Sequence, residues 1–261
     1  RDQYPGRTTD GPGRSSLCMD VAIVTVGDEI LAGDTRNTNA ERLARRLNER
    51  GATVVRILTI PDDPDLIAEV VADWAAEFDA VVVGGGLGGT HDDITMDAVA
   101  AAFDRDLVLE PEVERALLES MADYRDEDPE DLSRAELDLD FEAWGATPES
   151  GRPLLNPVGL SPGAAVENVY VLPGPPEEFE AMFETVAEEF GGDVVSGTLA
   201  TPAPEASLTE VLAAFREQFD LVVGSYPSRD GHNRLKVTGT DPDSVTAGIE
   251  WLRERVETDA E

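Results

Sequence analysis

From Val21 onward, short β-branched runs alternate with segments whose apolar residues recur at helical spacing. That alternation restricts the chain to a mostly parallel sheet covered by helices on both faces. Val21–Val26 reads as a buried strand. Ala40, Leu43, Ala44 and Leu47 then mark one face of a helix that Gly51 stops, as a glycine taking the left-handed conformation does. Thr53–Ile60 is the second strand. Asp63-Pro64 supplies a cap and a first-turn proline for a helix with Leu66, Ile67, Val70, Val71 and Trp74 on its apolar side. Ala80–Val83 is the third strand, and Ala98, Val99, Ala102 and Phe103 mark the helix after it. A charged helical stretch is expected over 111–139, a loop over 145–164, and one strand over Val166–Leu172. Phe179, Met182, Phe183, Val186 and Phe190 form the stripe of another helix.

Gly191-Gly192 divides the chain into an expected main domain, 19–192, and a small α+β unit, 193–261. The second reads strand (194–200), helix (208–219), strand (Leu221–Gly224), strand (Leu235–Gly239) and helix (244–256), a βαββα order. Residues 1–18 are polar and rich in Gly, Pro and Ser, and are expected to be a disordered extension ahead of a start at Met19.

Asp and Glu number 55 against 20 Lys plus Arg, for a net charge of −35. A polyanion has no counterions to release from nucleic acid or an anionic membrane, so both are excluded as general partners. Of the 20 basic residues only Lys236 is a lysine. Both biases fit a salt-adapted cytoplasm, where a carboxylate-rich surface keeps proteins soluble. Neither an apolar run of 18 residues nor a signal-peptide pattern occurs, so a cytoplasmic protein is expected. Cys18 is the single cysteine, which leaves no internal disulfide and no zinc cluster.

The stretch Gly84-Gly85-Gly86-Leu87-Gly88-Gly89-Thr90-His91-Asp92-Asp93-Ile94-Thr95 follows the third strand directly. Glycines there let backbone N–H groups face a phosphate at the carboxyl end of the sheet. The G-x-G-x-x-G match is not a dinucleotide fingerprint, which belongs after the first strand, and no Lys-Ser/Thr pair completes a P-loop. Asp92 and Asp93 would repel a phosphate unless a divalent cation lay between, and hard oxygen ligands suit Mg²⁺ or a similar ion. Alternatively, Asp93 caps the helix that begins near Thr95, and Asp92 is one more surface acid.

GGGLGGTHDDIT resembles the signature of MoaB/Mog-like molybdopterin-binding domains, and more specifically the CinA amino-terminal pattern GGLGPT-x-DD-x-T. It departs at Gly89, where that pattern carries proline. Gly27-Asp28-Glu29-Ile30-Leu31-Ala32-Gly33 with Asn37-Thr38-Asn39-Ala40 resembles the family's G-D-E-L-L-x-G…N-T-N-A opening. Asn156-Pro157-Val158-Gly159…Pro162-Gly163 resembles its N-P-x-G…P-G loop, and Leu172-Pro173-Gly174-Pro175-Pro176 its L-P-G-x-P turn. Gly224-Ser225-Tyr226-Pro227 resembles a segment of eukaryotic FAD synthetases, but neither the FAD-forming transferase activity of those enzymes nor the deamidase activity of CinA is expected here.

The resemblance implies a three-layer α/β/α domain, with Asp62 and Asp93 as catalytic and metal-binding carboxylates joined by Asp92. Gly84, Gly85, Gly86, Leu87, Gly88 and Thr90 would cradle phosphate. Asp28 and Glu29 would hold a ribose hydroxyl or a water, and Asn37 and Asn39 a base or pterin edge, unless the asparagines serve turns and caps. Pro173 and Gly174 offer a rigid turn. Lys236 is expected to meet a phosphate oxygen as a compact charge, or else to sit on an exposed strand face. The implied function is Mg²⁺-, Mn²⁺- or Co²⁺-dependent hydrolysis of a dinucleotide diphosphate such as ADP-ribose or FAD. Two alternatives stand beside it: a molybdopterin-binding or adenylating protein, and a non-catalytic nucleotide or pterin sensor. A homo-oligomer is implied by the family.

Overall fold

The computed structural model describes residues 19–89, 93–125, 128, 137, 140–227 and 232–258. Two compact units separate at Gly191/Gly192. In the first, β1 (Asp20–Val26) leads through α1 (Asp28–Leu31) and α2 (Thr38–Glu49) to β2 (Thr53–Ile60), then α3 (Pro64–Glu77) and β3 (Ala80–Gly84). α4 (Thr95–Ala102), β4 (Leu107–Val108), α5 (Pro111–Arg125) and α6 (Phe141–Gly145) follow. β5 (Thr147–Pro148), β6 (Arg152–Leu154), β7 (Gly163–Val166), β8 (Val169–Leu172) and α7 (Pro176–Val186) complete it.

The main sheet runs β2-β1-β3-β8-β7-β6. Its first four strands are parallel and the last two antiparallel. Alternation along β1 sorts the core into two layers. Val21 and Ile23 pack with Leu43 and Leu47 of α2 and Phe179 and Met182 of α7. Ala22 and Val24 pack with Ile67 and Val71 of α3 and Val99 of α4. Each of these side chains larger than alanine contributes about 1.5–3 kcal/mol by leaving water, so the sheet is held between both helical layers. The expected three-layer architecture is present.

Capping follows the sequence closely. Asp63 accepts from the N–H groups of Asp65 and Leu66, each at 3.1 Å, with Pro64 at the first turn of α3. Gly51, with φ 86°, follows α2 in the left-handed region.

Three expectations are corrected. Val166–Leu172 is not one strand but the end of β7, a turn and β8, because Glu167 takes φ 51° and reverses the chain. Asn168 fixes that turn by donating to the carbonyls of Ala75 and Phe78 at 3.0 and 2.9 Å. The stretch 145–164 is not all loop, since it holds β5, β6 and the start of β7. Finally, the charged helix stops at Arg125 as α5; much of 126–139 lies outside the described residues, and α6 starts afresh at Phe141 under an Asp140 cap.

The second unit contains β9 (Val195–Thr201), α8 (Glu205–Gln218), β10 (Val222–Pro227), β11 (Asn233–Gly239) and α9 (Pro242–Arg253). Its antiparallel sheet, ordered β10-β11-β9, packs Leu235 and Val237 with Phe215 and Leu252. Tyr226 extends β10 and is 49% exposed, with the Arg234 guanidinium 5.8 Å from its ring centre, so it is not a core residue. No helix among the described residues is long and apolar enough to cross a membrane.

Candidate functional site

Parallel register brings the carboxyl ends of β1, β2 and β3 side by side, with Val26 opposite Ile60 and Thr25 opposite Gly84. A cleft of about 290 Å³ opens there. It collects Glu29, Asn37, Asn39, Asp62, Gly84, Gly85, Gly86, Asp93 and Gly174, residues that the sequence places far apart. Asp62 stands just past β2 and accepts from the backbone N–H of Asp28 at 2.9 Å, tying the β2 end to the start of α1. Asp28 itself and Pro173 do not line this cleft, and Leu87 and Gly88 line a neighbouring one that also includes Asp93. Thr90 and Asp92 lie outside the described residues. The N-cap of α4 is Ile94, which makes no side-chain cap bond, and Asp93 stands just before it.

The glycines divide by task. Gly84 closes β3, and a Cβ there would lie 2.7 Å from the Phe179 ring; its role is packing. Gly85 has φ 105°, and a Cβ would meet the Val26 carbonyl oxygen at 2.3 Å. Its N–H is spent on the Leu172 carbonyl at 3.1 Å. Gly86 has φ 64°, with a Cβ position 2.3 Å from Thr95 Oγ1, and its carbonyl accepts from Thr95 N–H at 3.2 Å. The amides left to meet a phosphate are therefore those of Gly86, Leu87 and Gly88.

The asparagines differ in the same way. Asn37 caps α2 by accepting from Ala40 N–H at 3.2 Å, and its amide donates to Thr25 Oγ1 at 2.8 Å and Thr59 Oγ1 at 3.2 Å. Of its two expected roles, the cap is the one its bonds fill. Asn39 donates to the Gly174 carbonyl at 2.8 Å, which orients the amide and holds the Pro173-Gly174 turn against α2. Its Oδ1 is buried without a partner, an acceptor available to a ligand N–H or O–H.

Sequence reasoning missed Arg36. It lines the cleft, and among the described residues its guanidinium makes no ion pair. The available signal was its isolation as the single basic residue between Met19 and Glu41. Lys236 lies in the second unit, mid-strand in β11 between Gly224 and Thr198.

Asp62 and Asp93 are two carboxylates on one cleft, and among the described residues no group of three or more His, Cys, Asp or Glu is arranged to hold an ion. That set suits a Mg²⁺-like ion, which commonly takes one or two carboxylates and completes its shell with substrate phosphate and water. A larger cleft, about 580 Å³, lies between α2 and α7. Its Arg42 and Arg46 are already paired with Glu180 and Glu184, so it offers less to an anion.

A parallel α/β/α sheet with a glycine loop, carboxylates and a free arginine at its strand ends defines a small-molecule-binding domain of the doubly covered type. Residues 22–192 match the model of a probable molybdopterin binding domain, and the chain belongs to that family. It is 37% identical over 238 residues to a protein from Archaeoglobus fulgidus, covering 90% of this chain and 97% of that one. A CinA-like protein from Thermotoga neapolitana is 35% identical over 171 residues, which are 64% of this chain and 40% of that protein. The crystal structure of the protein CinA, of unknown function, from Thermoplasma acidophilum superposes with a TM-score of 0.56 at 30% identity. It covers 66% of this chain and 99% of its own.

Proposed function

We propose that this chain hydrolyses a dinucleotide diphosphate of the ADP-ribose or FAD type with the help of a divalent cation. The observation that carries the reading is Arg36: a guanidinium with no ion pair among the described residues, in a chain of net charge −35, set on the same cleft as the glycine loop and the carboxylates of Glu29, Asp62 and Asp93. Arginine left without a carboxylate amid so many acids is matched to another anion, and its fork suits phosphate. Arg36 and the Gly86, Leu87 and Gly88 amides bind the diphosphate. Asp62 and Asp93 would hold the cation, and the Asp28 N–H orients the Asp62 carboxylate. A Mg²⁺, Mn²⁺ or Co²⁺ ion supplies charge neutralisation at the phosphoryl oxygens and lowers the pKa of water. Glu29, which lines the cleft beside Gly27, would take the proton from the attacking water.

Asn39 Oδ1 supports a second reading, since a buried lone acceptor also fits the amino edge of a pterin. On that reading the chain binds or adenylates molybdopterin, or senses a pterin or nucleotide without catalysis. The test is a panel of ADP-ribose, FAD and NAD with each of the three metals in high salt. Metal-dependent AMP release supports the hydrolase. Binding without release, or ATP-dependent adenylation of molybdopterin, supports the second reading instead.

A further inference from the structure

The glycine loop has a cleft on each side. Gly86 and Asp93 line both the strand-end cleft and a second one of about 350 Å³, so the two meet at the wall assigned above to phosphate. The second cleft is lined by Met96, Leu107, Leu109 and the half-buried Trp144, with Asp97 and Glu142 beside them.

Trp144 is held from below. It lies on α6, where Asp140 caps the helix by accepting from Ala143 N–H at 3.1 Å and Phe141 is fully buried with Val113 and Leu117. A Cβ at Gly145 would lie 2.7 Å from Leu117 Cδ1, so the helix also packs closely at its end. From above, the indole touches the glycine loop. A Cβ at Gly89 would fall 1.8 Å from Trp144 Nε1, so no side chain fits at 89 while the ring stays in place. The departure from proline at this position is thus the condition that lets Trp144 reach the loop.

We propose that the Trp144 cleft is the subsite for the second ring of a dinucleotide, and that Trp144 selects a ligand with a flat ring at both ends. This rests on the diphosphate reading. A ligand whose phosphates lie at the shared wall sends one half into each cleft, and an indole face favours a planar heterocycle over a sugar. FAD fills both subsites with rings, whereas ADP-ribose places only a ribose in one of them.

The test is isothermal titration of the full-length chain with FAD and with ADP-ribose, using Ca²⁺ as the hard cation. FAD is expected to bind about tenfold more tightly than ADP-ribose, the worth of one stacked ring. Trp144→Ala should erase that preference while moving ADP-ribose affinity less than about twofold, and Trp144→Phe should keep most of it. Gly89→Pro, which displaces the indole, should behave as Trp144→Ala. Equal affinity of the wild type for the two ligands overturns the subsite alone, as does a Trp144→Ala loss shared equally between them. Binding of neither ligand overturns the diphosphate reading and this inference with it.

Discussion

Replacing Asn37 by alanine separates a structural strut from a ligand contact. The change removes one cap bond and two amide donations to Thr25 and Thr59. Loss of an asparagine cap costs about 1 kcal/mol. The two hydroxyls retain each other at 2.9 Å, and Thr25 keeps the Leu58 carbonyl at 3.2 Å, so their loss is partial. Each lost donation then adds about 0.5–1 kcal/mol, for a total of about 2–3 kcal/mol. In a domain of this size that lowers the melting midpoint by about 5–10 °C. Asn37→Asp, which preserves the cap acceptor and lets the threonines turn to donate, should lose less than half as much. Thermal melts by circular dichroism, run beside FAD titrations on the same samples, give both numbers. An unchanged midpoint with a large loss of FAD affinity would refute the strut and return Asn37 to the ligand.

Two further outcomes follow from charge. Burial and a hydrogen bond to Glu189 push the Tyr170 hydroxyl up to about 12, so its stabilising effect is complete below the unfolded value near 10 and is lost as pH rises through about 12. Urea titrations should show stability falling across that window, and Tyr170→Phe should flatten the fall; an equal slope in the variant would contradict the cause. Salt screens the self-repulsion of 35 excess negative charges, so the melting midpoint should rise between about 0.1 M and 2 M KCl, and a midpoint independent of salt would remove the salt-adapted reading of the composition.

What the sequence made legible was local. Asp63-Pro64, Gly51 and the two-faced alternation of β1 announce a cap, a stop and a doubly covered sheet because each acts through its immediate neighbours. The β7–β8 hairpin was hidden because Glu167 carries the reversal, a residue type that rarely takes positive φ, inside an apolar run with no glycine or proline. Strands as short as β5 and β6 show no period at all. Within the site, Asp62, Asp93, Asn39 and the glycine loop were visible as residue types after strands. Arg36 and Trp144 were not, because their meaning depends on what lies around them in space: a cleft on which the guanidinium makes no ion pair among the described residues, and a glycine that leaves room for an indole. Asn37 shows the converse, a motif residue whose bonds turn inward.

In the proposed reaction the strand-end cleft cleaves a diphosphate with Asp93 on the cation. The most direct measurement is AMP release from FAD and ADP-ribose by the wild type and Asp93→Asn, with Mg²⁺, Mn²⁺ or Co²⁺ in high salt and folding checked by circular dichroism. Metal-dependent release is expected from the wild type, with a loss of at least about 100-fold in the folded variant, since one carboxylate charge on the cation is removed. No release by the wild type with any of the three metals, or an undiminished rate in Asp93→Asn, would contradict it.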